Sequence, residues 1–323
     1  MTLRVGVVGC GAMATQFHLP ALRHWRDTFD DIQVAWCCDL DADRARAAAD
    51  RLGAKPVADY RQALTDHPVD ACTVLVGVPH TFAVVRDLLA RKIPVLTEKP
   101  PGANLDQARE LARLAEDNGV PSQVAFNRRH NPYLAAGMEH VGGRAAVRAV
   151  TYEMFRVVRR EPSFPAHTMI HAIDALRHVG GQPDEWSVFS REDPRGWTFI
   201  VRFQSGILAT LAVYPDVGIR SERCSLHSAE RTAVAYGLHY GTADGLGWAE
   251  LHERAPLRRR IDLAASWPAE LQPVFAHGFL NQVGSFLDSL RAGRACYPDL
   301  AEALKTMEWL DQILARLGRT WPE

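Results

Sequence analysis

Residues 3–14 read LRVGVVGCGAMA. The first six form a short, mostly apolar run, the pattern of a parallel strand buried on both faces. They lead straight into Gly9, Gly11 and Ala14, spaced G-x-G-x-x-A. The first glycine permits a tight turn, and the second lets the main chain approach a pyrophosphate. The third position must be small so that helix and strand can close. The following helix then aims its N-terminal N–H groups at the phosphates. The stretch predicts a dinucleotide-binding domain with contacts at Gly9, Gly11, Ala12 and Met13. A glycine turn without a ligand is the bland alternative. Pro20 is expected to break or restart the helix near Leu19.

Residues 32–38 (IQVAWCC) read as the second strand and end at Asp39. An acid there can accept both ribose hydroxyls of an adenosine and would repel a 2′-phosphate, which favours NAD over NADP. Asp39 or Asp41 could instead simply cap the next helix, with Asp41 the better cap, and Arg44 lies close by. Residues 70–78 (DACTVLVGV) form a further buried strand, with a helix over 81–91. Residues 94–100 (PVLTEKP) follow, an apolar strand that stops at Glu98 and Lys99. Strand ends of an open parallel sheet face the ligand crevice, and a charged pair planted there costs free energy unless it is paired or functional. A surface ion pair is the competing reading. Asn104 and Gln107 suit a helix N-terminus, and Gly119 a C-terminus. Residues 122–126 supply the last strand. The alternation predicts an α/β Rossmann-type domain with a doubly wound parallel sheet over 1–121.

The chain has 323 residues, 47% hydrophobic, with a net charge of −1. That length accommodates two domains. The near-zero charge gives no electrostatic case for nucleic acid or an anionic membrane. No apolar run is long enough to span a bilayer. The first strand begins too early to leave room for a signal peptide. Six cysteines without a CxxC pair read as buried thiols of a reducing compartment, hence a cytoplasmic protein.

The glycine loop, Asp39, the Val78-Pro79 turn, EKP at 98–100 and FNRRHNP at 126–132 occur in this order. Together they resemble the glucose–fructose oxidoreductase / inositol dehydrogenase / rhizopine catabolism (Gfo/Idh/MocA) family, over essentially the whole chain. The resemblance implies that Lys99 lies beside a nicotinamide and the substrate hydroxyl. It also implies cofactor contacts at Val78, Pro79, His80, Glu98, Lys99 and Asn127.

From Arg144 the pattern changes to alternation. Strands are expected over 147–156, 197–203, 207–214, 224–227 and 248–251, and helices over 275–290 and 300–317. This is an α+β domain with a large, mostly antiparallel sheet, assigned to 122–298. The resemblance implies that this sheet is open and joins subunits into a homodimer or homotetramer. It also implies that the C-terminal helix, 299–323, packs back on the first domain.

Within this second part, His167, His171 and Asp174 stand at i, i+4 and i+7, one face of a helix. Three readings stay open from the residues. His171 could be the general base of a dehydrogenase with His167 on the substrate. The two histidines could hold zinc, although no HExxH and no further ligand is evident, so no metal is expected. They could also be hydrogen-bonded interface histidines. The family pattern at this place, D-x-G-x-H-x-x-D, maps onto His171 and Asp174 as catalytic histidine and acid. His167 stands where an aspartate is usual and Met169 where a glycine is usual. The substrate set is then Lys99, His167, His171 and Arg156, the last for an anionic group, with Arg129 a second available arginine. His18 and His24 read as ordinary helix side chains. The function implied is an NAD-dependent oxidoreductase acting on a sugar or polyol. The alternatives are a sensor that binds dinucleotide and sugar without turnover, and an idle fold.

Overall fold

Eleven elements alternate through the first 125 residues: β1 (Leu3–Val8), α1 (Leu19–Thr28), β2 (Ile32–Cys38), α2 (Ala42–Leu52), β3 (Lys55–Val57), α3 (Tyr60–Asp66), β4 (Ala71–Val74), α4 (Val78–Ala90), β5 (Val95–Thr97), α5 (Leu105–Asn118) and β6 (Ser122–Val124). The computed structural model describes residues 2–192 and 195–322. The six strands are all parallel, in the order β3-β2-β1-β4-β5-β6. This doubly wound order reverses direction between β1 and β4, which creates a crevice at their carboxyl ends.

Local chemistry sets the boundaries. Asp41 caps α2 by accepting from the N–H groups of Asp43 and Arg44, and Gly53 ends it at φ +61°. Asn104 caps α5 on the Gln107 N–H, while the Gln107 side chain accepts from Ala103. The restart expected near Leu19 is found there, with Pro20 just inside the new helix. A π-helical turn, Ala14–His18, precedes α1, and Pro20 falls in the first turn of α1, where a proline is tolerated. The helix expected from Thr81 starts at Val78, with Pro79 in its first turn.

In the second part, α6 (Pro132–His140) is followed by β7 (Ala149–Phe155), then by a π-helical turn Pro165–Met169 running into α7 (Ile170–Gly180). There follow β8 (Pro183–Glu192), β9 (Arg195–Phe203), β10 (Leu208–Tyr214), β11 (Ser221–His227), β12 (Arg231–Tyr236), β13 (Trp248–Glu253) and β14 (Leu257–Ile261). The eight strands order as β14-β13-β12-β11-β7-β10-β9-β8. Only β7 and β10 run parallel. Alternation divides the faces: Tyr152, Met154, Trp197, Phe199, Leu211 and Val213 are buried, while Thr151, Ile200, Leu208 and Thr210 on the other face are exposed. Helices α6 and α7 cover the buried face.

The chain then forms α8 (Gln272–Ala276), α9 (Phe279–Arg291) and α10 (Leu300–Arg316). Its contacts divide into two units. One is the chain up to Ala125 with Phe279–Glu308, and the other is Phe126–Gly278 with Trp309–Pro322. This differs from the linear boundaries expected at 121 and 298. The apolar stripe of α9 belongs to the first unit: Phe279 stacks on Phe17 at 4.4 Å, and the Trp25 indole donates to the Leu280 carbonyl. Residues 298–300 close the open edge of β6, with the Val124 N–H on the Pro298 carbonyl. Helix α10 starts in the first unit and ends in the second.

Among the described residues no helix is long and apolar enough to cross a membrane.

Candidate functional site

In the first unit the glycine loop leaves β1 at the point where the sheet order reverses. Gly9 adopts φ +96°, and a Cβ there would lie 2.7 Å from the main chain of Leu75. Gly11 differs: a Cβ there meets nothing within 4 Å. Its hydrogen therefore faces open space, the arrangement a closely approaching diphosphate needs. Asp39 lies beside the loop and accepts from the Cys10 N–H at 2.7 Å and the Asp41 N–H at 2.9 Å. These bonds fix the carboxylate at the loop rather than leaving it as a helix cap, which is Asp41's role. A cavity of about 530 Å³ opens here, lined by Gly9, Gly11, Asp39, Leu40, Arg44, Tyr60, Gly77 and His80. Leu40 is 92% exposed, an apolar side chain presented to that space. Arg44 reaches Asp41 at 3.3 Å. Of the other expected cofactor contacts, Ala12 and Met13 open the helix after the loop, and Val78 and Pro79 form the first turn of α4.

One crossover away, β5 ends at Glu98 and Lys99. The Glu98 N–H is held by the Val74 carbonyl at 3.0 Å. Its carboxylate takes His18 Nε2 on one oxygen at 2.8 Å and the Lys99 main-chain N–H on the other at 3.2 Å. Burial alone would raise this carboxyl. The hydrogen bond from His18 and the nearby Lys99 cation outweigh it, so Glu98 stays below the usual carboxylate range. Lys99 is half-buried. His18 was expected to be an ordinary helix side chain; it is wholly buried against Glu98. Its flanking Phe17 and Leu19, both apolar, hinted at an inward position, but the π turn that sets its direction leaves no sequence signal.

In the second unit, the stretch from Phe164 through Arg177 is buried at every position except His167 and His171. The two imidazoles are therefore the openings of an otherwise enclosed helix. Asp174 does not join them as an open carboxylate. It is wholly buried and held by Arg129, Nε to Oδ2 at 2.8 Å and Nη2 to Oδ1 at 2.7 Å. The i, i+4, i+7 spacing was right for a helix, but the seventh position turns inward.

Arg156, expected to meet an anionic substrate group, is also buried. It directly follows β7 and pairs with Glu222 of β11. Arg128 donates to the same carboxylate at 3.0 and 3.2 Å, and the Tyr152 hydroxyl donates at 2.7 Å. Burial would raise Glu222, and the two guanidiniums hold it far below the carboxylate range instead. Asn127, expected at the cofactor, has its amide engaged at both ends: Nδ2 donates to the His277 carbonyl at 2.8 Å, and Oδ1 accepts from Arg128. The FNRRHNP segment is thus an internal brace of the second unit. Arg128 ties it to the sheet and Arg129 ties it to α7. Among the described residues, no group of three or more His, Cys, Asp or Glu side chains gathers as a metal site.

Comparison with known proteins matches residues 3–126 to the model described as "Oxidoreductase family, NAD-binding Rossmann fold". An inositol 2-dehydrogenase of Paenarthrobacter aurescens is 26% identical over 328 residues, 94% of this chain and 91% of that protein. The yeast protein YMR315W of Saccharomyces cerevisiae, uncharacterized, is 30% identical over 155 residues. That match spans 46% of this chain and 43% of the yeast protein. A solved dehydrogenase from Clostridium difficile superposes with a TM-score of 0.82 at 15% identity, covering 98% of this chain and all of that one, a likeness of fold. The matches decide for an oxidoreductase over a sensor without turnover or an idle fold.

Proposed function

We propose that this chain is a member of the Gfo/Idh/MocA oxidoreductase family and, on that premise, an NAD-dependent dehydrogenase of a secondary alcohol on a sugar, polyol or sugar derivative. The observation that carries the reading is the open space at Gly11 beside the fixed Asp39 carboxylate. A dinucleotide diphosphate fits against Gly11, and ribose hydroxyls suit Asp39. The negative Asp39 disfavours a 2′-phosphate, which makes NAD the preferred form.

The nicotinamide, when bound, supplies the two-electron redox chemistry. The chain's own residues handle binding and the proton. His171, one of two accessible imidazoles on its helix, takes the hydroxyl proton during oxidation and returns it during reduction, the acid–base task that imidazoles serve. Lys99 donates to a substrate oxygen and favours its alkoxide character. Glu98 sets the Lys99 main chain. His167 accepts or donates to a neighbouring hydroxyl. Asp174, bound to Arg129, keeps α7 in place and so acts on His171 only through position.

The open sheet face, with Ile200 and Leu208 half exposed, is read as the surface through which copies pair into a dimer or tetramer. All six cysteines are buried free thiols, which suits a reducing, cytoplasmic setting.

The test is reduction of NAD, with NADP alongside, over a panel of polyols, aldoses and uronic acids. His171→Ala serves as the control. Turnover with one class is expected, falling about 10²–10⁴-fold in the variant while NADH still binds. NADH binding without turnover on any member, or undiminished turnover in His171→Ala, overturns the reading.

A further inference from the structure

We infer that His18 is a positioning residue for Lys99 and acts through the Glu98 carboxylate. The inference rests on the reading of Lys99 as the group that meets the substrate oxygen. His18 ends the π-helical turn Ala14–His18, and its side chain is completely buried. A buried imidazole needs a partner, and Nε2 has one in Glu98 Oε1 at 2.8 Å. The other ring nitrogen, Nδ1, is buried without a hydrogen-bond partner. A proton on Nδ1 would be an unsatisfied buried N–H, whereas a bare lone pair there costs less. The ring therefore donates from Nε2 to the Glu98 carboxylate. Phe279 meets the ring edge-on at 5.5 Å and keeps it from turning.

The consequence runs along three bonds. The Glu98 main chain is pinned to β4 through Val74, and its second carboxylate oxygen receives the Lys99 N–H. His18 is what holds that carboxylate in the rotamer serving Lys99. Glu98, held below the usual carboxylate range, keeps its negative charge beside the Lys99 cation. The same helical segment begins at the glycine loop, so the loop that would receive the diphosphate and the residue that orients Lys99 are one continuous piece of backbone.

The competing account is that His18 only fills space against Phe279. Two substitutions separate them. His18→Leu keeps bulk and removes the donor, while His18→Gln places an amide N–H near the Nε2 position. Two readouts are used: kcat on the best alcohol, and the pH profile of Lys99 acylation by acetic anhydride, read by mass spectrometry of the Lys99 peptide. The expected result is a loss of about 10²-fold in kcat for His18→Leu, with unchanged NADH affinity and a displaced acylation profile. His18→Gln should restore most of the rate and the original profile. Equal losses in the two variants, or an unmoved Lys99 profile in His18→Leu, overturn the inference. Should the wild-type protein turn over no alcohol, the functional reading fails separately, and the acylation profile still decides the role of His18. If His18→Leu does not fold, His18→Asn replaces it, since its shorter amide stops short of Glu98. An Asn profile equal to that of Gln then counts against the inference.

Discussion

Arg129 closes on Asp174 through two parallel hydrogen bonds, 2.8 and 2.7 Å, with both side chains out of water. Removing one partner of such a pair strands the other charge in the interior, at about 3–5 kcal/mol. Asp174→Ala should lower the unfolding free energy read from urea titration by that scale. The double change Arg129→Met with Asp174→Leu should cost much less. A direct catalytic role for Asp174 predicts the opposite division: near-native stability in Asp174→Ala and a lost kcat.

The two loop glycines should part company. Gly9→Ala forces a Cβ into the Leu75 main chain at a positive φ, so it should destabilise the first unit by several kcal/mol, on the order of the largest single-site effects. Gly11→Ala has room for its methyl in the free protein. Its melting temperature should stay near wild type while NADH affinity falls at least about tenfold, or about 1.4 kcal/mol. Calorimetry and NADH fluorescence titration read the two effects separately. Full NADH affinity in Gly11→Ala would move the diphosphate away from this loop.

Asp39 should set the cofactor preference. Asp39→Asn retains shape and an oxygen for the Cys10 or Asp41 N–H, but removes the charge that opposes a 2′-phosphate. The NADPH-to-NADH affinity ratio should rise about tenfold or more. A ratio already near one in the wild type, unchanged in the variant, would refute this.

Acidification should weaken the second unit before the carboxylates titrate. His277 is pushed down to about 4 by burial, with Arg128 adding to the effect. His130 is pushed down to about 3 by burial, then by His178 and Arg129. Both stay neutral in the folded chain, while the unfolded chain binds protons below about 6.5. The unfolded state therefore gains as pH falls from about 6.5 towards those lower values, by up to about 1.4 kcal/mol per pH unit for each histidine. Below the ordinary glutamate range, Glu222, held low by Arg128 and Arg156, adds a loss of the same sign. Urea unfolding between pH 7 and 4 should show this slope, and His277→Gln should flatten it. A flat profile across that window would show that these histidines titrate normally.

What was legible in the sequence was local. The glycine loop, the caps at Asp41 and Asn104 and the alternation of β9 are written within a few residues of where they act. The edge strands β3, β8 and β14 went unseen. Neither face of an edge strand need be buried, and among the described residues of β8 and β14 only Ile261 is buried, so no period-two signal remains. The site was readable as residue types but not as partners. Glu98 meets His18 across 80 positions, Arg129 meets Asp174 across 45, and Arg128 meets Glu222 across 94. Arg156 and Asp174 looked like open charges because their counter-charges lie on distant elements.

The placement of α9 bears on how the protein is made. The strands β1 to β6 leave the ribosome first, but the helix that stacks Phe279 on Phe17 and receives the Trp25 indole is translated only after the whole second sheet. At about 5–20 residues per second this interval is on the order of ten seconds. For that time the nascent chain carries an unfinished nucleotide domain with the α9-facing apolar surface uncovered. Holding factors that shield such surfaces should matter more for this chain's yield than its final stability does.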